Sequence, residues 1–598
     1  MKILFAASEA FPFCKTGGLA DVAGSLPVSL AENGDQVAVI LPLYDKIPYE
    51  WRQRMVYRSY IYVDVAWRHQ YCGLFVMEYR GVTWYFVDNE HYFRRGRLYG
   101  EYDDGERFAF FSKAVVDLLP SLDWMPDVIH CNDWQTALVP IYLKDVATRW
   151  DAVRGIKTVF TIHNIEYQGR YGPDTVADLF GLHEGWWNDG TLQMDGDVNL
   201  MKAAMLVSDA VTTVSPTYAA QLHDDYYAHG MASIVDAIGY KLHGVLNGID
   251  MTSYDPAHDM AIPVHYGPDD MTGKAACKAD LQVSLGLREE PDTPLLAVVS
   301  RLVGHKGMEL IRDGFDGIMA TGCQLVVLGQ GEGYYEDFFR AQAGRYVGRT
   351  AALITYSEGL SRRIYAGADL FLMPSRSEPC GLSQMIAMRY GSVPIARETG
   401  GLRDTVLSYN KFTDEGNGFT FFNYNAHDML HTVRRAVHYY QNNREVWYRL
   451  IVRGMTGDYS WYSSAGKYLA LYEDVTKPAT QFSLTEEQPE NPKAAPALQA
   501  EAGDMKEEAP KTEEKPKAKR SPRKKAEPKA EAPAEVKEAP KTEEAPKKRG
   551  RKPKAEAAAE AKEVPKTEEA PKAKRAPRKK AEPKAETPAE VKEESKAE

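Results

Sequence analysis

Apolar residues along the first 165 positions fall into short runs separated by segments in which they recur every three or four positions. Lys2–Ala7 reads as a buried strand. Leu19–Ala31 spaces Leu19, Val22, Ala23, Leu26 and Leu30 at helical intervals and stops at Asn33-Gly34. Gln36–Pro42 predicts a second strand, and Gly73–Asp88 predicts two strands around the turn Arg80-Gly81. Asp127–Leu143 reads as a strand running into a helix, and Ile156–Asn164 as another buried strand. Strands alternating with helices predict a parallel, doubly wound α/β sheet.

The pattern then restarts. Pro294–Leu302 is a strand, followed by a helix over Gly307–Ile318, a strand at Gln324–Gly329 and a helix through Arg340. Ala368–Ser375 and Ser392–Ala396 complete a second alternating unit of similar size. The joint lies in the turn-rich stretch His243–Pro256, and Ser460–Val475 reads as an amphipathic helix that returns to the first unit. The expected division is 1–245, 246–459, a returning helix at 460–476 and a tail at 477–598.

The tail differs in kind. It consists almost wholly of Ala, Lys, Glu and Pro, and the block from Lys517 recurs from Lys572. The last aromatic residue is Phe482. Such a segment cannot bury enough apolar surface to offset its chain entropy, so disorder is expected.

Charge sharpens this division. The whole chain has 598 residues and a formal net charge of −11. From Gln481 onward stand 30 Lys and Arg against 26 Asp and Glu, so an acidic body carries a weakly basic tail. Within the tail, Lys547–Lys554 ("KKRGRKPK") resembles an AT-hook, whose Arg-Gly-Arg core enters the minor groove of A·T tracts. The balance favours a solubilising tether instead, because acidic blocks cancel most of the basic charge. Six scattered cysteines without metal-ligand spacing suit a reducing cytoplasm, and no stretch approaches the length of a membrane span. No metal site and no cofactor are expected, and the sequence leaves the oligomeric state open.

In open parallel sheets, ligands bind at the carboxyl ends of the strands. The loops there hold Lys15-Thr16-Gly17-Gly18, Asp133, and His163 with Asn164 in the first unit. In the second they hold Arg301 and Lys306, Tyr356 and Glu358, and Glu378 with Cys380. Each has a plainer reading: a tight turn, a helix cap, a core histidine, a solvated charge. Their placement at successive strand ends favours a site. Arg301 and Lys306 flank a loop that opens a helix, which makes a diphosphate site. GxxxxGK[ST] and GxGxxG are both missing, and no Asp-x-Asp follows a strand. A nucleotide sugar with a nucleoside diphosphate leaving group fits this set.

At this point "KTGGLADVAGSLP", "HNIEYQG", "VLNGID…YDP", "SRLVGHKG" and "SEPCGLSQM" resemble the bacterial glycogen synthase and plant starch synthase family. The resemblance spans about residues 1–476 and implies the GT-B architecture: two doubly wound Rossmann-like domains facing a cleft. It implies retaining transfer of glucose from ADP-glucose to the non-reducing end of an α-1,4-glucan. Lys15 and the Gly17-Gly18 backbone are then implied to contact diphosphate and glucose. Arg301 and Lys306 hold the departing phosphates. Asp133, His163 and Asn164 line the sugar pocket, and Asn247 binds a glucose hydroxyl. Tyr356 stacks on the base, Glu378 meets glucose hydroxyls, and the amides of Cys380, Gly381, Leu382 and Ser383 complete the site. Many retaining GT-B enzymes carry a second glutamate eight residues after the first; here that position is Ile386. The same fold using UDP-glucose, or a GT-B enzyme of another class, is the alternative. A pyridoxal-phosphate phosphorylase would need a Schiff-base lysine, and none is identifiable.

Overall fold

A computed structural model describes residues 1–477. The tail, with its expected disorder and its AT-hook-like core, lies outside the described residues.

The first lobe is built on β1 (Lys2–Ala6), β2 (Gln36–Pro42), β3 (Val56–Val65), β4 (Arg68–Tyr79), β5 (Val82–Asp88), β6 (Val128–Asn132) and β7 (Lys157–Ile162). Short strands β8 (Arg170–Tyr171), β9 (Gln193–Met194) and β10 (Asp197–Asn199) form a separate small sheet. Strands β11 (Ala210–Thr213) and β12 (Leu242–Gly244) close the main sheet, whose order is β12-β11-β7-β6-β1-β2-β5-β4-β3. The second lobe orders β13 (Leu295–Val299), β14 (Gln324–Leu328), β15 (Thr350–Leu353), β16 (Leu370–Met373), β17 (Val393–Arg397) and β18 (Phe419–Phe421) as β15-β14-β13-β16-β17-β18, all parallel. The central strands are apolar and buried along nearly their whole length, because helices cover both faces of a parallel sheet.

The first sheet departs from the all-parallel expectation. Its β3-β4-β5 edge is antiparallel. The two-residue turn Arg80-Gly81 explains this: both residues have positive φ, 51° and 75°, the geometry of a tight hairpin, which joins only antiparallel strands. Strand β3 went unpredicted because alternate residues face water and break the apolar run.

The last helix, Trp461–Thr476, packs on the helix Gly18–Glu32 of the first lobe. The Tyr472 hydroxyl lies 2.6 Å from His130 Nδ1 of β6. Burial drives the His130 pKa down to about 3, so this ring is a neutral core group. No helix among the described residues is long and apolar enough to cross a membrane.

Candidate active site

In the first lobe the adjacent strands β7, β6 and β1 each end in a polar loop. After β1, the Glu9 carboxylate accepts from the Thr16 amide at 2.6 Å and the Thr16 hydroxyl at 2.7 Å, which shapes the loop that holds Lys15. Burial raises the Glu9 pKa to about 7. Lys15 Nζ donates to Asp21 at 2.7 Å. Burial opposes the charge on Lys15, yet the Asp21 carboxylate and the nearby phenols of Tyr254 and Tyr356 hold it above the usual lysine range. Gly17 and Gly18 are exposed and open the helix Gly18–Glu32 without a side-chain cap, so its first amides are free. A Cβ at Gly17 would have only Glu9 Oε1, at 3.7 Å, for a neighbour; one at Gly18 would have only Leu382 Cδ1 of the other lobe, at 3.9 Å. Protein packing does not require glycine at either place.

Asp133 follows β6 with φ at +56°, a left-handed conformation that costs a non-glycine residue energy. Its side chain does not cap the turn that follows. Instead Oδ1 accepts from the His163 amide at 2.8 Å and the Asn164 amide at 3.4 Å, tying the β6 loop to the β7 loop. Burial, with the Glu9 charge adding to it, raises Asp133 to about 7. Asn132 Nδ2 donates to Ala6 O at 3.0 Å, so its Oδ1 is left to accept from His163 Nε2 at 2.9 Å. Burial lowers His163 to about 3, and the imidazole is neutral. The Asn164 side chain accepts from the Glu166 amide at 3.0 Å and so shapes its own turn.

In the second lobe the adjacent strands β13, β16 and β17 supply the facing loops. Lys306 Nζ bonds both Glu378 oxygens at 2.7 Å, and the Ser375 hydroxyl donates to Oε2 at 3.0 Å. Glu378 is therefore buried against a cation rather than paired with Arg376, which is exposed. Nor does it cap the next helix, which begins at Ser383 rather than at Gly381, because Gly381 sits at a left-handed φ of 73°. Gly307, at φ 75°, lets the Lys306 loop press on the Pro374 carbonyl, and the Arg376 amide donates to His305 O at 2.9 Å. Arg301 is exposed, and its side chain makes no hydrogen bond or ion pair among the described residues. His305 has its pKa lowered by burial and by Lys306 and Arg301 beside it.

Of the remaining expected residues, Asn247 is buried, and its Oδ1 finds no partner among the described residues. Tyr356 is exposed beside Lys15. Cys380 is a buried free thiol that burial pushes to about 12, while Gly381, Leu382 and Ser383 are half-buried at the helix start. Ile386 is buried.

The two sets of loops meet. His305 Nδ1 stands 4.0 Å from Glu166 Oε2, and the Ser215 hydroxyl donates to Pro379 O at 2.7 Å. Thr217 donates its amide, at 2.9 Å, and its hydroxyl to the Asp404 carboxylate, and the Gly400 amide donates to Gln221 Oε1 at 2.9 Å. Beside this junction a cavity of about 480 Å³ is lined by Trp134, Glu166, Tyr167, Gln168, Arg170 and His229. Sequence reasoning missed Glu9, Asn132, Trp134 and Tyr167, although Glu9 and Trp134 stand at strand ends and Tyr167 lies inside a quoted motif. It also missed that "TGGLAD" at Thr16 returns as "TGGLRD" at Thr399, after β17. Among the described residues no cluster of His, Cys, Asp or Glu is arranged to hold a metal ion.

Two facing α/β sheets whose strand-end loops meet over a charged cleft define a glycosyltransferase of the GT-B class. The starch synthase catalytic domain model matches residues 2–237, and the glycosyl transferases group 1 model matches 286–449. A glycogen synthase of Clostridium novyi is 46% identical over 476 residues, 79% of this chain and 99% of its own. One of Anoxybacillus flavithermus is 47% identical over 475 residues, 79% of this chain and 98% of its own. The catalytic domain of starch synthase IV from Arabidopsis thaliana, bound to ADP and acarbose, matches at a TM-score of 0.75 and 35% identity, over 79% of this chain and 99% of that one. Sucrose-phosphate synthase from Thermosynechococcus elongatus, at 16% identity and a TM-score of 0.51, covers 79% of this chain and 98% of its own and shares the fold. The chain belongs to the glycogen synthase and starch synthase family, and it is an α-1,4-glucan glucosyltransferase.

Proposed function

We propose that the cleft transfers glucose from ADP-glucose to the non-reducing 4-hydroxyl of an α-1,4-glucan with retention at the anomeric carbon. The observation that carries this is the free space over Gly17 and Gly18, which has Lys15 in its own loop and Leu382 of the other lobe beside it, while exposed Arg301, whose side chain has no partner among the described residues, follows a strand of that other lobe. A diphosphate fits there: it gains the free amides of a helix start and two cations. The starch synthase neighbour's bound ADP supports the adenine nucleotide. Tyr356 offers an exposed ring for the base, and the unpartnered Asn247 Oδ1 accepts a glucose hydroxyl. The Trp134 and Tyr167 cavity takes the acceptor, as its aromatic walls suit sugar rings.

As the diphosphate leaves, the glucosyl centre becomes oxocarbenium-like. Arg301, Lys306 and Lys15 act where negative charge grows on the leaving group, so they serve turnover more than ground-state binding. Glu378, held by Lys306 and Ser375, faces the sugar hydroxyls. Three carboxylates at the strand ends are engaged: Glu378 by Lys306, Asp133 by two amides, Glu9 by Thr16, while Glu166 of the acceptor cavity approaches only His305, at 4.0 Å. The hydrogen bonds that hold these three carboxylates favour same-face attack by the acceptor over double displacement, with the His163 carbonyl beside the reacting carbon. The six buried free cysteines support work in a reducing cytoplasm.

The test is elongation of maltotetraose and of glycogen with labelled ADP-glucose or UDP-glucose. ADP-glucose is expected to lead in kcat/KM by about tenfold or more, equivalent to ~1.4 kcal/mol. Equal use of UDP-glucose sinks the donor assignment, and the absence of label in either acceptor sinks the reaction.

A further inference from the structure

Two short helices, one from each lobe, cap each other across the junction. Pro216–Gln221 follows β11 in the first lobe, and Gly400–Thr405 follows β17 in the second. Asp404, in the last turn of the second helix, accepts from the Thr217 amide at 2.9 Å and the Thr217 hydroxyl at 2.5 Å, in the first turn of the first helix. Gln221, the last residue of the first helix, does the converse. Its Oε1 accepts from the Gly400 amide at 2.9 Å and from the Thr399 hydroxyl at 3.3 Å. Thr399 supplies no side-chain cap to its own helix. The first-turn amides of a helix lack partners within it, so each lobe satisfies an amide that the other leaves open.

Both helices are tied to loops of the candidate site. In the first lobe, a Cβ at Gly244 of β12 would stand 2.5 Å from Pro216 Cα, so the helix rests directly on the sheet. Its Tyr218 hydroxyl accepts from the Ile165 amide at 3.3 Å, in the loop that carries His163. Ser215 opens this helix: its hydroxyl accepts from the Tyr218 amide at 3.1 Å and donates to Pro379 O at 2.7 Å. In the second lobe, the Gly401 amide donates to Glu378 O at 3.2 Å and to Pro379 O at 3.1 Å. Gln384 Nε2 donates to Cys380 O at 3.2 Å, to Gly381 O at 2.8 Å and to the Thr405 hydroxyl at 3.1 Å.

Every carbonyl from Glu378 to Gly381 therefore has a donor among the described residues, and Ser215 is the one such donor from the first lobe. The helix that supplies Gly401 is itself held from the first lobe, by Thr217 and Gln221. Parting the lobes would take Ser215 from Pro379 and both caps from the helix beneath the loop in one movement. We propose that Ser215, Thr217, Gln221 and Asp404 are positioning residues: closure of the lobes builds the reciprocal caps, and the caps set the Glu378 loop for transfer. The coupling passes through backbone hydrogen bonds rather than through contact with substrate. The proposal rests on the role given to Glu378 above.

The experiment uses the full chain with nitroxide labels at Asp151→Cys and Asp337→Cys, exposed positions on the two lobes; the six native cysteines are buried. Label-to-label distances are measured with ADP and maltotetraose, and kcat with ADP-glucose and maltotetraose. Gln221→Met removes the acceptor at nearly constant volume and leaves the Gly400 amide without a partner. It is expected to lower kcat about tenfold and to add a longer distance to the distribution. Thr217→Val, which removes only the hydroxyl, is expected to cost about threefold. Gln221→Glu keeps an acceptor for Gly400 and is expected to restore both readouts. A Gln221→Met enzyme with parent distances and parent kcat, whatever its melting temperature, overturns the proposal, because the caps then only stabilise the fold. The link to Glu378 is read from the double variant. Gln221→Met is expected to cost little further kcat once Glu378→Gln is in place, and fully additive losses overturn the coupling. Near-parent kcat for Glu378→Gln alone would sink the Glu378 assignment instead, and the label distances would still judge the caps.

Discussion

The motif Thr-Gly-Gly-Leu-x-Asp occurs twice, at Thr16 in the first lobe and at Thr399 in the second, each time after a strand and at the start of a helix. The glycines do opposite work. Around Gly17 and Gly18 there is open space, and their backbone angles suit any residue: the Gly17 φ is −154°. Gly400 and Gly401 lie directly under the backbone of the Glu378 loop. A Cβ on Gly400 would overlap Glu378 O, one on Gly401 would overlap Cys380 O, and Gly400 also has a left-handed φ of 44°. The aspartates diverge as well. Asp21 holds Lys15 within its own lobe, whereas Asp404 takes Thr217 across the cleft. One sequence pattern thus leaves room for a ligand in one place and lets two protein backbones touch in the other. Burial, not the motif, tells them apart.

The largest test of this contrast is Gly400→Ala or Gly401→Ala. Neither backbone can yield as a flexible side chain would, so melting is expected to fall by the equivalent of about 3 kcal/mol, with activity lost as the Glu378 loop shifts. Melting at the parent temperature would remove the structural reading of the second turn.

Next is Glu378→Gln, which keeps the shape of the side chain and removes its charge. A fall of at least about 100-fold in kcat is expected, the scale of losing one strong interaction with developing charge. Arg376→Ala, a few residues away on an exposed side chain, is expected to cost little. Near-parent kcat for a folded Glu378→Gln enzyme would reduce the Lys306–Glu378 pair to a structural one.

Gly17→Ala sharpens the contrast from the other side. Among the described residues, and apart from its two chain neighbours, the added methyl meets no atom closer than 3.7 Å, so the enzyme is expected to melt at the parent temperature. The methyl does occupy the space assigned to the donor, and kcat/KM for ADP-glucose is expected to fall about tenfold, as overfilling a close contact does. Unchanged kinetics would leave the first turn without a ligand role.

For activity at neutral pH, the smallest expected effect belongs to Glu9, whose role shows in stability. Its folded pKa of about 7 lies above the usual 4.5, so the native state binds the extra proton between those values. The stability that proton provides is complete below about pH 4.5 and is lost as pH rises through 7. Glu9→Gln, which keeps an acceptor for Thr16, is expected to match the parent at pH 5 and to exceed its stability at pH 8 by about 1–3 kcal/mol. A difference that does not vary with pH would mean Glu9 is ionised throughout.

The sequence alone determined the two-unit α/β plan, because apolar runs of strand length alternating with helical periodicity leave little freedom in a doubly wound sheet. It also put Lys15, Asp133, His163, Arg301, Lys306 and Glu378 at strand ends, where ligands of open α/β sheets bind, because strand ends follow apolar runs. Only the tertiary structure decided which of these meet. The Lys306–Glu378 pair spans 72 positions and the Asp133–His163 bond spans 30, and such separations leave no local pattern. The antiparallel edge was half legible: the Arg80-Gly81 turn announced one hairpin, but β3 was hidden because half of its side chains belong to water. The two Gly-Gly turns make the same point most plainly. Spacing and residue type state that glycine is present, whereas the atoms that would fill the place of its missing side chain come from distant parts of the chain.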